Sequence, residues 1–207
     1  MSILLISTGG TIGALPYDDP IHAPEFVTPP SGRDFVREAL ADAPFNAHAT
    51  RYVALESRDS KDIDADYLEN LCRIFAEAAE DEILVIHGTD ALLASAEYIH
   101  NWVKEHPAAR NKIVVLTGAM TPLANGPASD GYQNLAASLD WLDEMGRWPA
   151  EQKHAFVGVH ILLCDYDEPQ AKKGDWKPRL FAFALNTYEK EYAADSRYNR
   201  IRRRSSR

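Results

Sequence analysis

Four short blocks of this chain draw on hydroxyl, carboxylate and glycine residues, and each lies just after an apolar run. Thr8-Gly9-Gly10-Thr11-Ile12-Gly13 follows residues 3–7, Asp59-Ser60-Lys61-Asp62-Ile63 follows 51–55, and His87-Gly88-Thr89-Asp90 follows 83–86. Thr117-Gly118-Ala119-Met120 closes the run 113–116, with Asn125-Gly126, Asp130-Gly131 and Asn134 beyond it. Paired glycines let a backbone turn sharply and approach a ligand closely. Threonine hydroxyls such as Thr11 and Thr89 are weak nucleophiles that need a base or strong polarisation beside them. Asp90 leads into a helical segment, whose N-terminus favours negative charge. Taken singly, Thr89 and Asp90 are also good helix caps, and Thr8–Thr11 is also a good structural turn. The four blocks together mark a site.

The elements that must position these blocks are legible from periodicity. The runs at 3–7, 51–55, 83–86, 113–116 and 156–163 are short, rich in Ile, Val and Leu, and continuous, as suits strands covered on both faces. Between them apolar residues recur at helical spacing: Leu68, Leu71, Phe75 and Ala78; Leu92, Ala96, Ile99 and Val103; Leu135, Leu139 and Leu142. A further helix is expected over Asp34 to Leu40, after the Pro29-Pro30-Ser31-Gly32 loop. This alternation predicts an α/β fold, a doubly wound and mainly parallel sheet with helices on both faces. In such sheets ligands bind beyond the carboxyl ends of the strands, which is where the four blocks fall. After about residue 165 the pattern dissolves into polar sequence, interrupted by an apolar patch at Leu180–Leu185.

Composition narrows the function. With 207 residues the chain suits one domain, expected over 1–192, followed by a basic tail over 193–207. Net charge is −9, and six of the 22 basic residues lie in the last eleven positions, so the body is more acidic still. Such a body would repel phosphate, which argues against a nucleic-acid-binding face. Two cysteines are too few for a disulfide scaffold or a four-thiolate zinc site, and the seven histidines show no ligand spacing, so no metal is expected. No apolar run approaches the roughly 20 residues that span a bilayer, and the N-terminus lacks a basic leader; a cytoplasmic location is expected. A nucleotide site fails on spacing, because Gly9, Gly10 and Gly13 read Gly-Gly-x-x-Gly instead of Gly-x-Gly-x-x-Gly.

In order and spacing, the four blocks resemble the bacterial-type L-asparaginase/glutaminase family over roughly residues 3–185. The resemblance covers the family's N-terminal domain, in a short form. Ala91 stands where the family usually has another threonine, and Lys61 where it usually has a small polar or glutamine side chain touching the substrate. The resemblance implies hydrolysis of the side-chain amide of L-asparagine, or of a related small amide, without a cofactor. It makes Thr11 the nucleophile and sets Thr89, Asp90 and a lysine across the substrate. Family spacing from the fifth strand points to Ala171-Lys172-Lys173-Gly174, and counting back from Ala182-Phe183 favours Lys173 as that lysine, with Lys172 and Lys177 as neighbours. Tyr17 matches a mobile-loop tyrosine. Gly10, Ser60, Lys61, Gly88 and Ala119 would line the substrate site; in that family Asp90 also meets the ligand's ammonium group and Ser60 its α-carboxylate. Longer members carry a C-terminal domain that supplies a glutamate to a neighbouring subunit's site; here residues 165–168, Glu189 or Glu191 would have to replace it. A homo-oligomer is expected. The alternative is a weakly active or inactive domain that keeps the pocket to bind or sense an amino acid. His87 is expected to orient its loop, and Cys72, Trp102 and Trp141 to serve packing.

Overall fold

Alternate residues of the central strands belong to two different apolar clusters. Ile3 and Leu5 of β1 (Ile3–Ser7), Leu84 and Ile86 of β3 (Glu82–Ile86), and Ile113 and Val115 of β4 (Ile113–Thr117) face one cluster. Leu4, Ile6, Ile83, Val85, Val114 and Leu116 face the other. Side chains along a strand alternate between its faces, so a continuous apolar run means that both faces are covered. The first face is covered by Val36 of α1 (Phe35–Leu40) and by Leu135, Leu139, Leu142 and Met145 of α4 (Asp130–Arg147). The second is covered by Leu68, Leu71, Cys72 and Phe75 of α2 (Ala65–Glu77) and by Leu92, Ala96, Ile99 and Trp102 of α3 (Leu92–Glu105). The expected stripes of α2, α3 and α4 thus point at the sheet.

These positions come from a computed structural model, which describes residues 2–16 and 33–164 together with the backbone of three later strands. The sheet has the order β2-β1-β3-β4-β5-β6, with β2 (Thr50–Ala54) at one edge and β5 at Gly158–Cys164. The first five strands are parallel. β6 (Pro178–Ala182) joins antiparallel to β5 at the other edge, where a proline lacking its N–H is tolerated. The apolar patch around Leu180 therefore belongs in part to a strand that its surroundings in the sequence did not announce. A separate antiparallel pair joins β7 (Tyr188–Glu191) to β8 (Arg200–Arg203). Among the described residues no helix is long and apolar enough to cross a membrane.

Two boundaries differ from the periodic reading. The fifth strand begins at Gly158, because His154–Phe156 forms a 3-10 turn after the short α5 (Ala150–Lys153). There Phe156 packs edge-on against Trp141 and Trp148, and its carbonyl accepts from His160 Nε2 at 2.7 Å. Helix α4 begins at Asp130, a full turn before its first apolar core residue, because Ser129 Oγ caps it by accepting from the Tyr132 N–H.

Strand order creates one crevice by topology. From β1 the chain steps outward to β2, returns across β1 to β3, and then continues the other way. The carboxyl ends of β1 and β3, adjacent and parallel, form the switch point where open α/β sheets bind ligands.

Candidate active site

The loop after β1 is built to lie flat against its neighbours. Thr8 donates both its N–H (3.0 Å) and its hydroxyl (2.9 Å) to the Ile86 carbonyl, fastening the end of β1 to the end of β3. Gly9 and Gly10 then take φ of 105° and 86°, values that side-chain-bearing residues rarely adopt. Contact reinforces the choice. A Cβ on Gly9 would sit 2.5 Å from Ser57 Oγ, and one on Gly10 would sit 2.8 Å from both Cα and N of Gly88. Thr11, half-buried, then opens a 3-10 turn over Thr11–Gly13.

The loop after β3 is held from two sides. On the β2 side, Ser60 is 2% exposed, and its Oγ accepts from the Ala91 N–H at 3.3 Å. A Cβ on Gly88 would lie 2.7 Å from Ser60 Cβ and Oγ. On the β4 side, a Cβ on Gly118 would lie 2.6 Å from the His87 carbonyl and 3.1 Å from Thr89 Cγ2. The Thr89 hydroxyl is 3.8 Å from Met120 Sδ, a weak acceptor. Asp90 is exposed. Glycine at three strand ends is therefore a packing requirement: it lets the loops after β1, β2, β3 and β4 touch main chain to main chain.

The loop after β4 is anchored by two buried polar side chains. The Asp130 carboxylate accepts from the Met120 and Thr121 N–H groups, each at 2.8 Å, and also from the Thr121 hydroxyl. Asn134 donates from Nδ2 to the Gly118 carbonyl and accepts at Oδ1 from the Cys164 N–H, both at 2.8 Å. It thereby ties the end of β4 to the end of β5. Ala119 is buried between these anchors with its methyl in the core, so it can offer a ligand only main chain.

Two electrostatic features stand out. His87 is buried, and desolvation holds its ring below the ordinary histidine pKa, against a smaller opposing effect of the Gly88 carbonyl 2.8 Å from Nδ1. That bond puts the proton on Nδ1; Nε2 has no hydrogen-bond partner among the described residues. His87 thus sits neutral beneath the loop, as an orienting residue would. Lys61, by contrast, is exposed, with Nζ 3.6 Å from Asp59 Oδ2 and 3.5 Å from Asp90 Oδ2. The charges of Asp59 and then Asp90 raise its pKa above the ordinary lysine value.

His160, buried on β5, is also held below the ordinary histidine value by desolvation, which outweighs its bond to the Phe156 carbonyl. The unfolded chain titrates near pH 6.5, so on acidification it binds protons before the fold does. Stability is intact above that pH and is lost as the pH falls toward the folded value. Urea unfolding between pH 7 and 5 is expected to show this fall. It should be shallower in His160→Gln, by up to about 1.4 kcal/mol per pH unit.

The structure brings Gly10, Thr11, Ser60, Lys61, Gly88, Thr89, Asp90 and Ala119 to one end of the sheet. Tyr17, Lys172, Lys173 and Lys177 lie outside the described residues, as do residues 165–168 and the side chains of Glu189 and Glu191. Cys72 is buried, and Trp102, also buried, donates its indole N–H to Glu69 at 2.7 Å, both in packing roles. Sequence reasoning missed Thr121, the Met120 thioether against Thr89, and the pairing of Lys61 with Asp90. Those partners lie up to 31 residues apart and meet only through strand order.

A family model described as Asparaginase, N-terminal matches residues 2–154. Among solved structures, the thermostable L-asparaginase from Thermococcus kodakarensis is 21% identical with a TM-score of 0.52. That match covers 78% of this chain and 43% of the other. The probable cytoplasmic L-asparaginase from Campylobacter jejuni is 22% identical with a TM-score of 0.55, covering 77% and 44% respectively. At these identities the likeness is one of fold, and the chain spans less than half the length of either protein. No curated protein matches the chain.

Proposed function

The chain belongs to the asparaginase family through its N-terminal domain, and from that premise we propose that it hydrolyses the terminal amide of L-asparagine or a related small amide. The observation that carries this reading is the contact of Gly10 with Gly88 at the switch point, which sets the Thr11 block directly against Thr89 and Asp90. In this reading Thr11 Oγ attacks the amide carbonyl carbon, the amide nitrogen takes up a proton and leaves as ammonia, and water hydrolyses the resulting ester. Thr89, Asp90 and a lysine, Lys173 by preference, manage the protons, with Tyr17 serving Thr11. Backbone N–H groups near Thr89 and Asp90 stabilise the oxyanion. Ser60 acts chiefly by seating Gly88 and Ala91. The protein works in the cytoplasm as a homo-oligomer.

The test is ammonia release by the full chain from L-asparagine, L-glutamine, D-asparagine and short ω-amides. Turnover of any of them is expected, and silence across the whole panel overturns the reading. Silence accompanied by a rise in melting temperature with L-aspartate would instead identify a binding domain.

A further inference from the structure

Lys61 reaches the site from a rigid base. Its backbone belongs to the 3-10 turn Ser60–Asp62, closed at one end by Asp59 Oδ1 accepting from the Lys61 N–H at 3.0 Å. The preceding residue, Ser60, is wedged under Gly88 and hydrogen-bonded to Ala91, so the turn moves only with the loop that carries Asp90. From that base the ammonium lies between Asp59 and Asp90, at nearly equal distances from both. The charge of Asp90 is thus already answered from within the chain. A ligand ammonium seated on Asp90 would have to displace Lys61 and compete with its positive charge for the same carboxylate. Both contacts are ion pairs longer than an ordinary hydrogen bond, so the exposed ammonium keeps N–H donors to offer an incoming carboxylate.

We propose that Lys61 sets the substrate class: the site takes ω-amides that carry a carboxylate but no α-ammonium group, and it discriminates against α-amino acids. This rests on the amidohydrolase reading for turnover, but not for binding. The two are therefore tested by separate readouts on the same proteins, wild type and Lys61→Gln. Lys61 is 65% exposed at its side chain, so the substitution leaves the core intact.

The first readout is kcat/KM for ammonia release from succinamic acid and from L-asparagine. Wild type is expected to favour succinamic acid by at least about tenfold, and Lys61→Gln to lower that preference by a similar factor. The second is the melting-temperature shift with succinate and with L-aspartate. Succinate should give the larger shift in wild type, and the difference should shrink in the variant. A wild-type preference for L-asparagine, or a ratio that Lys61→Gln leaves unchanged, overturns the proposal and leaves the amidohydrolase reading standing. Absence of turnover with a succinate-selective shift that Lys61→Gln abolishes overturns the enzyme reading and sustains this one. Absence of both signals overturns both.

Discussion

Replacing Thr89 by alanine is expected to cut ammonia release by about a hundredfold to ten-thousandfold, about 3–5 kcal/mol in the barrier, while leaving the unfolding free energy within about 1 kcal/mol of wild type. The two halves of this expectation have separate physical grounds. Thr89 is half-buried, and its hydroxyl partner among the described residues is the Met120 thioether at 3.8 Å. Losing so weak a hydrogen bond costs little, and the nearby main-chain contacts of Gly88 and Gly118 do not involve the hydroxyl. A hydroxyl in the proton path of the reaction cannot be replaced by a methyl group, and general acid–base groups contribute about 10²–10⁴ in rate. Urea unfolding and ammonia release on the same preparation decide the matter. Equal losses of stability and activity would make Thr89 a structural residue, whereas loss of activity alone places it in the chemistry. Thr11→Ala should behave alike, because a nucleophile and its proton partners fail as a unit.

The sequence carries the layers of this fold more clearly than the contacts within its site. Apolar runs at β1, β3 and β4 announce strands covered on both faces, and spacings of three and four residues announce α2, α3 and α4, because burial imposes those periods directly. The positions of the four blocks at strand ends are legible for the same reason. What one strand end does to another is not. Gly10 and Gly88 are far apart in the chain and meet because β1 and β3 are neighbours. Ser60 reaches Ala91 because β2 and β3 flank β1. The pairing of Lys61 with Asp90 follows from that same geometry and has no periodic signature. Apolar periodicity marks α4 only from Leu135, because the residues before it, Asp130 and Asn134 among them, hold the loops after β4 and β5 instead of filling the core. Asp130 and Asn134 stand out as residue types, but their four main-chain partners are set by the loop that closes over them.

That dependence on close main-chain contact makes Gly10 the position where one methyl group should do most harm. Gly10→Ala is expected to lower the unfolding free energy by about 3 kcal/mol and to abolish turnover. Two costs add. At φ 86° and ψ 174° the backbone lies in a region open essentially to glycine, at about 1–3 kcal/mol for any other residue. The added Cβ would also press at 2.8 Å on Cα and N of Gly88. Those are backbone atoms with no rotamer to change, so the loop after β3 must move and carry Thr89 and Asp90 away from Thr11. Two companion substitutions separate the costs. Gly126 has φ 76° and ψ −162°, with nothing within 4 Å of an added Cβ, so Gly126→Ala pays the conformational cost alone. At Gly13 the nearest atom is Val36 Cγ2 at 3.7 Å, an ordinary contact, so Gly13→Ala should be close to neutral. Ranking the three by urea unfolding gives the steric share as the difference between Gly10→Ala and Gly126→Ala. If that difference is zero, the two loops do not press on each other, and the juxtaposition of Thr11 with Thr89 loses its physical basis. A domain of this size is stable by about 5–15 kcal/mol, so Gly10→Ala should still fold around its sheet. Its activity would then be lost from a folded protein whose two strand ends no longer meet.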